Sequence, residues 1–255
     1  MLYLKYFILA ILHIPLLPVM LYQELHIRKR ITVFPEASEP SGSVDKELSK
    51  EINILILGES TMAGVGVDKH INGFAGRFAH HFSEITGVNV KWQVIAKSGF
   101  TIKQITNELV PQIPGENFDL ILVGTGANDT FTLNTPWGWK RNIKRFINSI
   151  RKTQADTPLV FINLPPVREF PALTSLLQFA LGRLISIFNE VLISVSNKHD
   201  NVYFNSEPIR VDEWIATDNS ELSTDDFFSD GVHPSGLCYD LWAQGMARYS
   251  EELMS

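Results

Sequence analysis

The sequence predicts an α/β fold, in which helices cover both faces of a mostly parallel β-sheet. Short, nearly continuous apolar runs alternate along the chain with longer segments whose apolar residues recur at helical spacing. Such runs are typical of strands buried on both faces, and their alternation with helices is typical of parallel sheets. The 255-residue length and 45% hydrophobic content suit one large domain or two small ones and exclude a generally disordered chain.

Five segments are predicted as strands. Three are nearly uninterrupted apolar runs that end at glycine or asparagine, and they span residues 52–57, 120–123 and 159–162. Residues 90–94 alternate between apolar and polar side chains, which predicts a strand with one less-buried face at an edge of the sheet. Residues 202–204 form a short last strand.

Two long segments between these strands have the apolar stripe of a helix that packs on a sheet. The first stripe consists of Trp139, Ile143, Phe146, Ile147 and Ile150. The second consists of Leu177, Leu181, Leu184, Phe188, Val191 and Val195.

The N-terminus differs from the rest of the chain. Residues 6–22 are apolar apart from one histidine and two prolines, with Lys5 before them and Arg28, Lys29 and Arg30 after them. A bilayer core needs roughly 20 apolar residues as helix, so an uncleaved membrane anchor is the favoured interpretation. A cleaved signal peptide and an amphipathic or core helix are the alternatives. The basic cluster favours the cytoplasmic face, whereas a signal peptide implies a periplasmic or secreted protein.

We therefore predict three regions. Residues 1–30 are a hydrophobic anchor or signal segment with a basic flank, residues 31–50 are a flexible linker, and residues 51–255 are the folded domain. Cys238, the single cysteine, excludes a disulfide scaffold within the chain. A net charge of −6 argues against a basic nucleic-acid surface, so no nucleic-acid partner is expected.

Polar residues suited to acyl transfer follow the predicted strands. Ser60 follows the first strand, Gly99 follows the alternating strand, and Asn128 follows the next apolar run. Asp230 and His233 precede the last helical segment. Because ligands of open parallel sheets bind outside the carboxyl ends of the strands, we expect these residues to form one site.

Each residue type suits one task in that chemistry. Ser60 would be the nucleophile and His233 the base that takes its proton, because an ordinary histidine titrates near neutrality. Asp230 would hold the imidazole in the right tautomer and stabilise its charged form. The backbone N–H groups of Ser60 and Gly99 and the side-chain amide of Asn128 would form an oxyanion hole.

With these residues in place, the chain resembles the SGNH hydrolases of the GDSL esterase and lipase superfamily. Ser60, Gly99, Asn128 and His233 occur in the family's order, and the resemblance covers about residues 52–250. It implies a three-layer α/β/α, flavodoxin-like fold with five parallel strands in the order 2-1-3-4-5. It also implies esterase, thioesterase or lysophospholipase-type chemistry that needs neither a metal nor a cofactor.

One residue departs from the family pattern. Glu59 stands where the family has aspartate, in the triplet Gly58-Glu59-Ser60. This acid is not the acid of the triad, so the longer side chain should leave the chemistry intact while changing how the serine turn is braced or the pocket shaped.

Taken singly, the site residues have ordinary interpretations. Ser60 could cap a helix, Asn128 could lie in a turn, and His233 could be a capping or surface residue. Their occurrence together and in order favours a catalytic site. The neighbouring His80 and His81 would face different directions on a helix, which makes them poor joint metal ligands, and no metal is expected.

The resulting prediction is a serine hydrolase that cleaves a carboxylic ester or thioester through an acyl-enzyme on Ser60. Two alternatives stay open: a glycan O-acyltransferase or deacetylase, and a catalytically inactive membrane-tethered binding protein. The expected partners are a small-molecule or lipid-like ester and, through the N-terminal segment, a membrane.

Overall fold

The computed structural model describes residues 2–30, 34–46, 48–217 and 222–254, and its centre is a six-stranded sheet. The strands are β1 Ser41–Val44, β2 Glu51–Gly58, β3 Asn89–Ala96, β4 Leu120–Gly124, β5 Leu159–Phe161 and β6 Val202–Phe204. Their order across the sheet is β1-β3-β2-β4-β5-β6. All neighbouring strands are parallel except β1, which pairs antiparallel with β3.

Helices flank the sheet. They are α1 Leu2–His13, α2 Leu17–Arg30, α3 Phe74–Thr86, α4 Ile102–Gln104, α5 Ala127–Phe131, α6 Pro136–Ile150, α7 Ser175–Ser196, α8 Val211–Thr217 and α9 Gly236–Met254. Helix α3 packs on α9, where the rings of Phe74 and Trp242 lie 6.0 Å apart. Helix α6 packs on α7, where Trp139 stacks on Phe188 at 5.0 Å.

The predicted fold class is confirmed, with one additional strand. The five parallel strands, numbered without β1, have the expected order 2-1-3-4-5. The predicted apolar stripes of α6 and α7 are buried throughout. These long apolar faces fold as expected because each has a buried sheet or helix to pack on.

The edge of the sheet was predicted wrongly. Strand β3 is not an edge strand, because β1 covers it, and β1 comes from within the predicted flexible linker of residues 31–50. Gly42 lies opposite Trp92 in the antiparallel pair, and a Cβ on Gly42 would lie 2.5 Å from the Trp92 ring. The small residues of β1 are therefore needed for close packing, and they carry no apolar pattern that marks a strand. The division of the chain into three regions stays a prediction.

The N-terminal helices lie against the domain. A 3-10 turn at Ile14–Leu16 separates α1 from α2, as expected from the prolines in this stretch. Lys5 forms an ion pair with Glu190 of α7 at 2.7 Å, and the Tyr6 ring lies 5.4 Å from that of Trp137 at the start of α6. The Thr174 hydroxyl, just before α7, donates to Gln23 Oε1 of α2 at 2.8 Å.

Two parts of the described chain have the length and hydropathy of a membrane span. Helix α7 passes this test alone, but 56% of its apolar window is buried in the protein, as in the core helix of a soluble domain. Helices α1 and α2 pass it only as a pair, across a 41° bend. Many of their apolar side chains are exposed, including those of Leu4, Phe7, Ile8, Ile11, Leu12, Leu21 and Leu25.

Candidate active site

Ser60 lies in a tight turn, residues 59–66, directly after β2. Gly58 and Gly124 are opposite each other at the ends of β2 and β4, and the Met62 side chain packs on both. A Cβ on Gly58 would clash with Met62 and with the Gly124 carbonyl, so glycine permits this close approach. Ser60 is 8% exposed, and residues 60–66 form turns instead of a helix. Ser60 therefore caps no helix, and that interpretation is wrong.

Asp230 and His233 form a close pair in the loop of residues 229–234, which we call the acid–base loop. His233 Nδ1 lies 2.7 Å from Asp230 Oδ2, and it donates because a carboxylate can only accept. Asp230 Oδ1 also accepts the backbone N–H groups of Val232, at 2.9 Å, and His233, at 2.8 Å. This arrangement leaves Nε2 of neutral His233 as an acceptor, which is the form that a general base needs.

The ionised form of Asp230 is favoured by its partners. Burial of Asp230 opposes ionisation, but the hydrogen bonds and charge of His233 outweigh it and hold the pKa of Asp230 below its ordinary value. The Asp230 side chain is 1% exposed, whereas that of His233 is 21% exposed. The carboxylate is thus shielded, and the imidazole reaches the surface of the site.

The acid–base loop contacts the serine turn directly. Ser229 Oγ lies 3.2 Å from the carbonyl oxygen of Gly66. Helix α9, which follows the loop, adds a second contact, because the buried hydroxyl of Tyr239 donates to the carbonyl of Val65 at 2.8 Å. Within the described residues, no hydrogen bond joins Ser60 Oγ to His233. Such bonds are often long in ligand-free enzymes and shorten when substrate binds.

Two of the three predicted oxyanion donors are free to act. The backbone N–H groups of Ser60 and Gly99 donate no hydrogen bond within the described ranges. Gly99 is exposed and has a φ of 83°, in the left-handed region that favours glycine. The next N–H back, that of Ser98, donates to Glu36 Oε1 at 2.7 Å, so the predicted linker helps to hold this loop.

The third predicted donor, the Asn128 amide, is already engaged. Its Nδ2 donates to Glu59 Oε2 at 2.7 Å and to the Phe100 carbonyl at 3.2 Å. Acceptors on both sides determine which way the amide faces. Asn128 belongs to the short helix α5, so its interpretation as an ordinary turn residue is wrong.

Glu59 holds residues 127–134, the short helix α5 and the turn after it, which we call the Asn128 loop. Its Oε1 accepts the Ala127 N–H at 2.8 Å, and its Oε2 accepts the Asn128 N–H at 3.0 Å as well as the Asn128 side chain. Glu59 is 1% exposed, and burial raises its pKa to about 7 although the N–H donors of Asn128 and Ala127 oppose the shift. The nearby charge of Asp129 raises it further. A buried carboxyl that titrates near neutrality thus contacts a predicted oxyanion donor.

Asp129 connects the same loop to the start of helix α4. This fully buried carboxylate accepts the Ile102 N–H at the start of α4 and the side-chain amide of Asn134, each at 2.8 Å. Burial raises the pKa of Asp129. No local sequence pattern marks this contact of Asp129 or the contact of Glu36 with Ser98, so neither residue can be recognised from the sequence alone.

The ring nitrogens of His80 and His81 lie closer together than we expected for neighbouring residues on a helix. Their ligand atoms and that of Glu84 all lie within 4.8 Å of one another. Each imidazole already faces a carboxylate, since His80 lies 3.6 Å from Glu84 and His81 lies 3.0 Å from Asp240. The group lies on α3, apart from the strand ends that carry the predicted site residues.

Comparison with known proteins identifies the class. The model of the GDSL-like lipase/acylhydrolase family matches residues 56–241, and the chain therefore belongs to this family. Family membership supports an esterase or acyl-transfer role. No curated protein sequence matches the chain.

Several solved structures share the fold. TesA superposes with a TM-score of 0.55 at 16% identity, covering 76% of this chain and 95% of TesA. A family 3 carbohydrate esterase from Clostridium thermocellum gives a TM-score of 0.59 at 17% identity, with coverages of 80% and 97%. The salicylyl-acyltransferase SsfX3 from a tetracycline biosynthetic pathway gives 0.55 at 16% identity, with coverages of 82% and 56%. At these identities the likeness concerns the fold.

Proposed function

We propose that this protein is a serine hydrolase that cleaves a carboxylic ester or thioester through an acyl-enzyme on Ser60. The observation that carries the proposal is the 2.7 Å bond between Asp230 and His233. It orients the imidazole so that Nε2 can accept a proton, in a loop that contacts the turn of Ser60 through Ser229. Family membership supports the same chemistry.

The reaction follows from these positions. Ser60 Oγ attacks the acyl carbon while His233 Nε2 takes its proton, and Asp230 stabilises the resulting imidazolium. The tetrahedral intermediate collapses as His233 returns the proton to the departing alcohol or thiol, which leaves the acyl group on Ser60. Water then attacks the acyl-enzyme by the same proton transfers in reverse and releases the carboxylic acid.

The oxyanion hole requires a change of partner at Asn128. The N–H groups of Ser60 and Gly99 are available, whereas both amide hydrogens of Asn128 have acceptors. The 3.2 Å bond to the Phe100 carbonyl is the longer of the two. We therefore assign that hydrogen to the oxyanion, while the 2.7 Å bond to Glu59 keeps Asn128 in place.

An acyltransferase is the second candidate, because an acyl-enzyme can equally be resolved by a hydroxyl acceptor such as a sugar. Structures with this fold include a carbohydrate esterase and an acyltransferase, so the fold is compatible with a glycan O-acyltransferase or deacetylase. Product analysis with and without an added sugar acceptor separates transfer from hydrolysis.

The decisive test concerns Ser60. A fluorophosphonate probe should label the wild-type chain, and Ser60→Ala should lose both the label and turnover of p-nitrophenyl acetate. Ser186→Ala, which removes an exposed hydroxyl on α7, is the control and should retain both. Unlabelled wild-type protein would favour the inactive binding protein, and activity retained by Ser60→Ala would exclude Ser60 as the nucleophile.

We propose in addition that α1 and α2 attach the protein to a membrane, with the basic cluster of Arg28, Lys29 and Arg30 favouring the cytoplasmic face. The exposed apolar side chains of these helices support the proposal. The full chain should sediment with phospholipid vesicles, and the double substitution of Ile11 and Leu12 by aspartate should weaken sedimentation. Ile85→Asp, at an exposed apolar position on α3, is the control.

An intact-mass measurement on protein recovered from cells distinguishes an anchor from a cleaved signal peptide.

A further inference from the structure

An apolar cavity of about 190 Å³ lies between the N-terminal helices and the hydrolase fold. Helix α1 contributes Leu9, and α2 contributes Met20. Helix α7 forms the opposite wall with Ala180 and Leu184. Apart from one tyrosine, every side chain that lines the cavity is aliphatic or methionine, so it offers almost nothing to bind water or a polar ligand.

The cavity reaches the loop that carries Asn128. Leu133, five residues after Asn128, is also part of the cavity lining. It has a φ of 52°, in a left-handed region that leucine rarely adopts, and it is 44% exposed. Hydrogen bonds from Leu133 N to the Thr130 carbonyl and from Asn134 to Asp129 hold this conformation. Strained residues of this kind concentrate at ligand sites, where the surroundings maintain them.

Helix α2 also connects the cavity with the acid–base loop. One and nearly two turns beyond Met20, Gln23 and His26 of α2 line a second, wider groove of about 460 Å³, and Asp230 lies in its wall. The groove is closed on the other side by residues 171–174, and Ala172 N in this segment donates to the Gly231 carbonyl at 3.0 Å. The same helix thus passes from the predicted catalytic acid to the apolar cavity.

We propose that this cavity binds the acyl chain of the substrate, so that the N-terminal helices form part of the active site. The inference rests on the proposed acyl-enzyme at Ser60 and adds the chemical class of its acyl group, a medium or long aliphatic chain. An acyl chain matches a lining with almost no polar atoms, and the exposed apolar faces of α1 and α2 give it a path from a lipid surface.

The inference predicts how activity depends on chain length. Each methylene that enters the cavity adds about 0.8 kcal/mol of burial, or roughly a fourfold rise in kcat/KM, until the cavity is full. The full chain, kept in one detergent, is assayed with p-nitrophenyl esters from acetate to dodecanoate. Wild-type activity should rise along the series and then level off.

Two substitutions change the cavity in opposite directions. Ala180→Phe fills it and should move the plateau to shorter esters, lowering the ratio of dodecanoate to acetate turnover at least tenfold. Leu184→Ala enlarges it and should move the plateau to longer esters. Ile187→Ala is the matched control, because Ile187 lies on the same helix, is equally buried at 5%, and does not line the cavity. It should leave the plateau unchanged.

The outcomes separate this inference from the proposed function. An unchanged plateau in both Ala180→Phe and Leu184→Ala, with activity still abolished by Ser60→Ala, would overturn the acyl site alone. A shift of the same size in Ile187→Ala would also overturn it, because the effect would then come from loosened packing. Activity that persists in Ser60→Ala would overturn the proposed nucleophile instead. If Ala180→Phe does not fold, the lengthening caused by Leu184→Ala still decides the question.

Discussion

Two buried carboxylates in this site accept the same number of hydrogen bonds, but their pKa values shift in opposite directions. Asp230 accepts two backbone N–H groups and one side-chain N–H of His233, and Glu59 accepts two backbone N–H groups and one side-chain N–H of Asn128. The pKa of Asp230 is lowered, whereas that of Glu59 is raised to about 7.

The difference lies in the third donor and in the surroundings. An imidazole can become positively charged and then stabilises the neighbouring carboxylate, whereas the amide of Asn128 stays neutral. Glu59 is also buried as a whole residue, whereas Asp230 is half-buried, and Glu59 lies near the charge of Asp129. The comparison shows that equal hydrogen bonding does not produce equal ionisation. The acid–base loop therefore contains a carboxylate, Asp230, that stays ionised, whereas the Asn128 loop is held by a carboxyl, Glu59, that can take up a proton near neutral pH.

The largest expected effect comes from removing the fixed charge. Asp230→Asn should lower kcat by about 10³- to 10⁴-fold, because an amide at this position stabilises the wrong imidazole tautomer and does not stabilise the imidazolium. The measurement is the steady-state rate with p-nitrophenyl acetate. Asp225→Asn, at an exposed carboxylate of the preceding 3-10 turn, is the control and should be close to wild type. A loss below tenfold in Asp230→Asn would show that the reaction does not depend on the Asp230 carboxylate.

A smaller effect is expected at Glu59. Glu59→Asp, which restores the residue usual in the family, shortens the side chain and should stretch its bonds to the Asn128 loop, lowering kcat by about tenfold while KM changes little. Glu59→Gln keeps the length and removes the charge, so it should flatten any part of the pH–rate profile that Glu59 causes near pH 7. If Glu59→Gln and wild type have superimposable profiles, Glu59 has no part in the pH dependence.

Wild type and Glu59→Gln together also test how protonation of Glu59 affects the free energy of unfolding. The folded-state pKa of Glu59, about 7, lies above its ordinary value of 4.5, so the folded protein binds this proton more tightly than the unfolded chain. The stabilisation is fully present below pH 4.5 and is lost as pH rises towards 7, a change of about 3 kcal/mol. Relative to Glu59→Gln, the free energy of unfolding of wild type should therefore fall across this window in urea titrations. A rise across the window would mean that Glu59 is ionised in the folded protein.

Features of the site that depend on residues close together in sequence can be predicted, whereas contacts between residues far apart in sequence cannot. The central strands are buried on both faces, so their apolar runs are visible in the sequence, and the residues that follow them mark the site. The contact between Glu59 and Asn128 joins residues 69 positions apart and depends on the sheet order, so no local pattern reveals it. Strand β1 cannot be recognised from the sequence either, because its residues are small or polar. Their small size is explained only by the packing beside Trp92 of β3.

The smallest effect is expected at Gly99. Substitution there extends the comparison to a proposed oxyanion donor, the Gly99 N–H, that is not hydrogen-bonded to a carboxylate. With a φ of 83°, Gly99→Ala should cost about 1 kcal/mol of stability although nothing lies within 4 Å of the new Cβ. Gly115→Ala is the matched control, since its Cβ also meets nothing within 4 Å and its φ is not in the left-handed region. That substitution should be neutral or slightly stabilising. If both alanine variants unfold at the wild-type urea midpoint, the left-handed conformation at Gly99 is not required. If Gly99→Ala loses activity beyond its loss of stability, the orientation of its N–H contributes to the oxyanion hole as proposed.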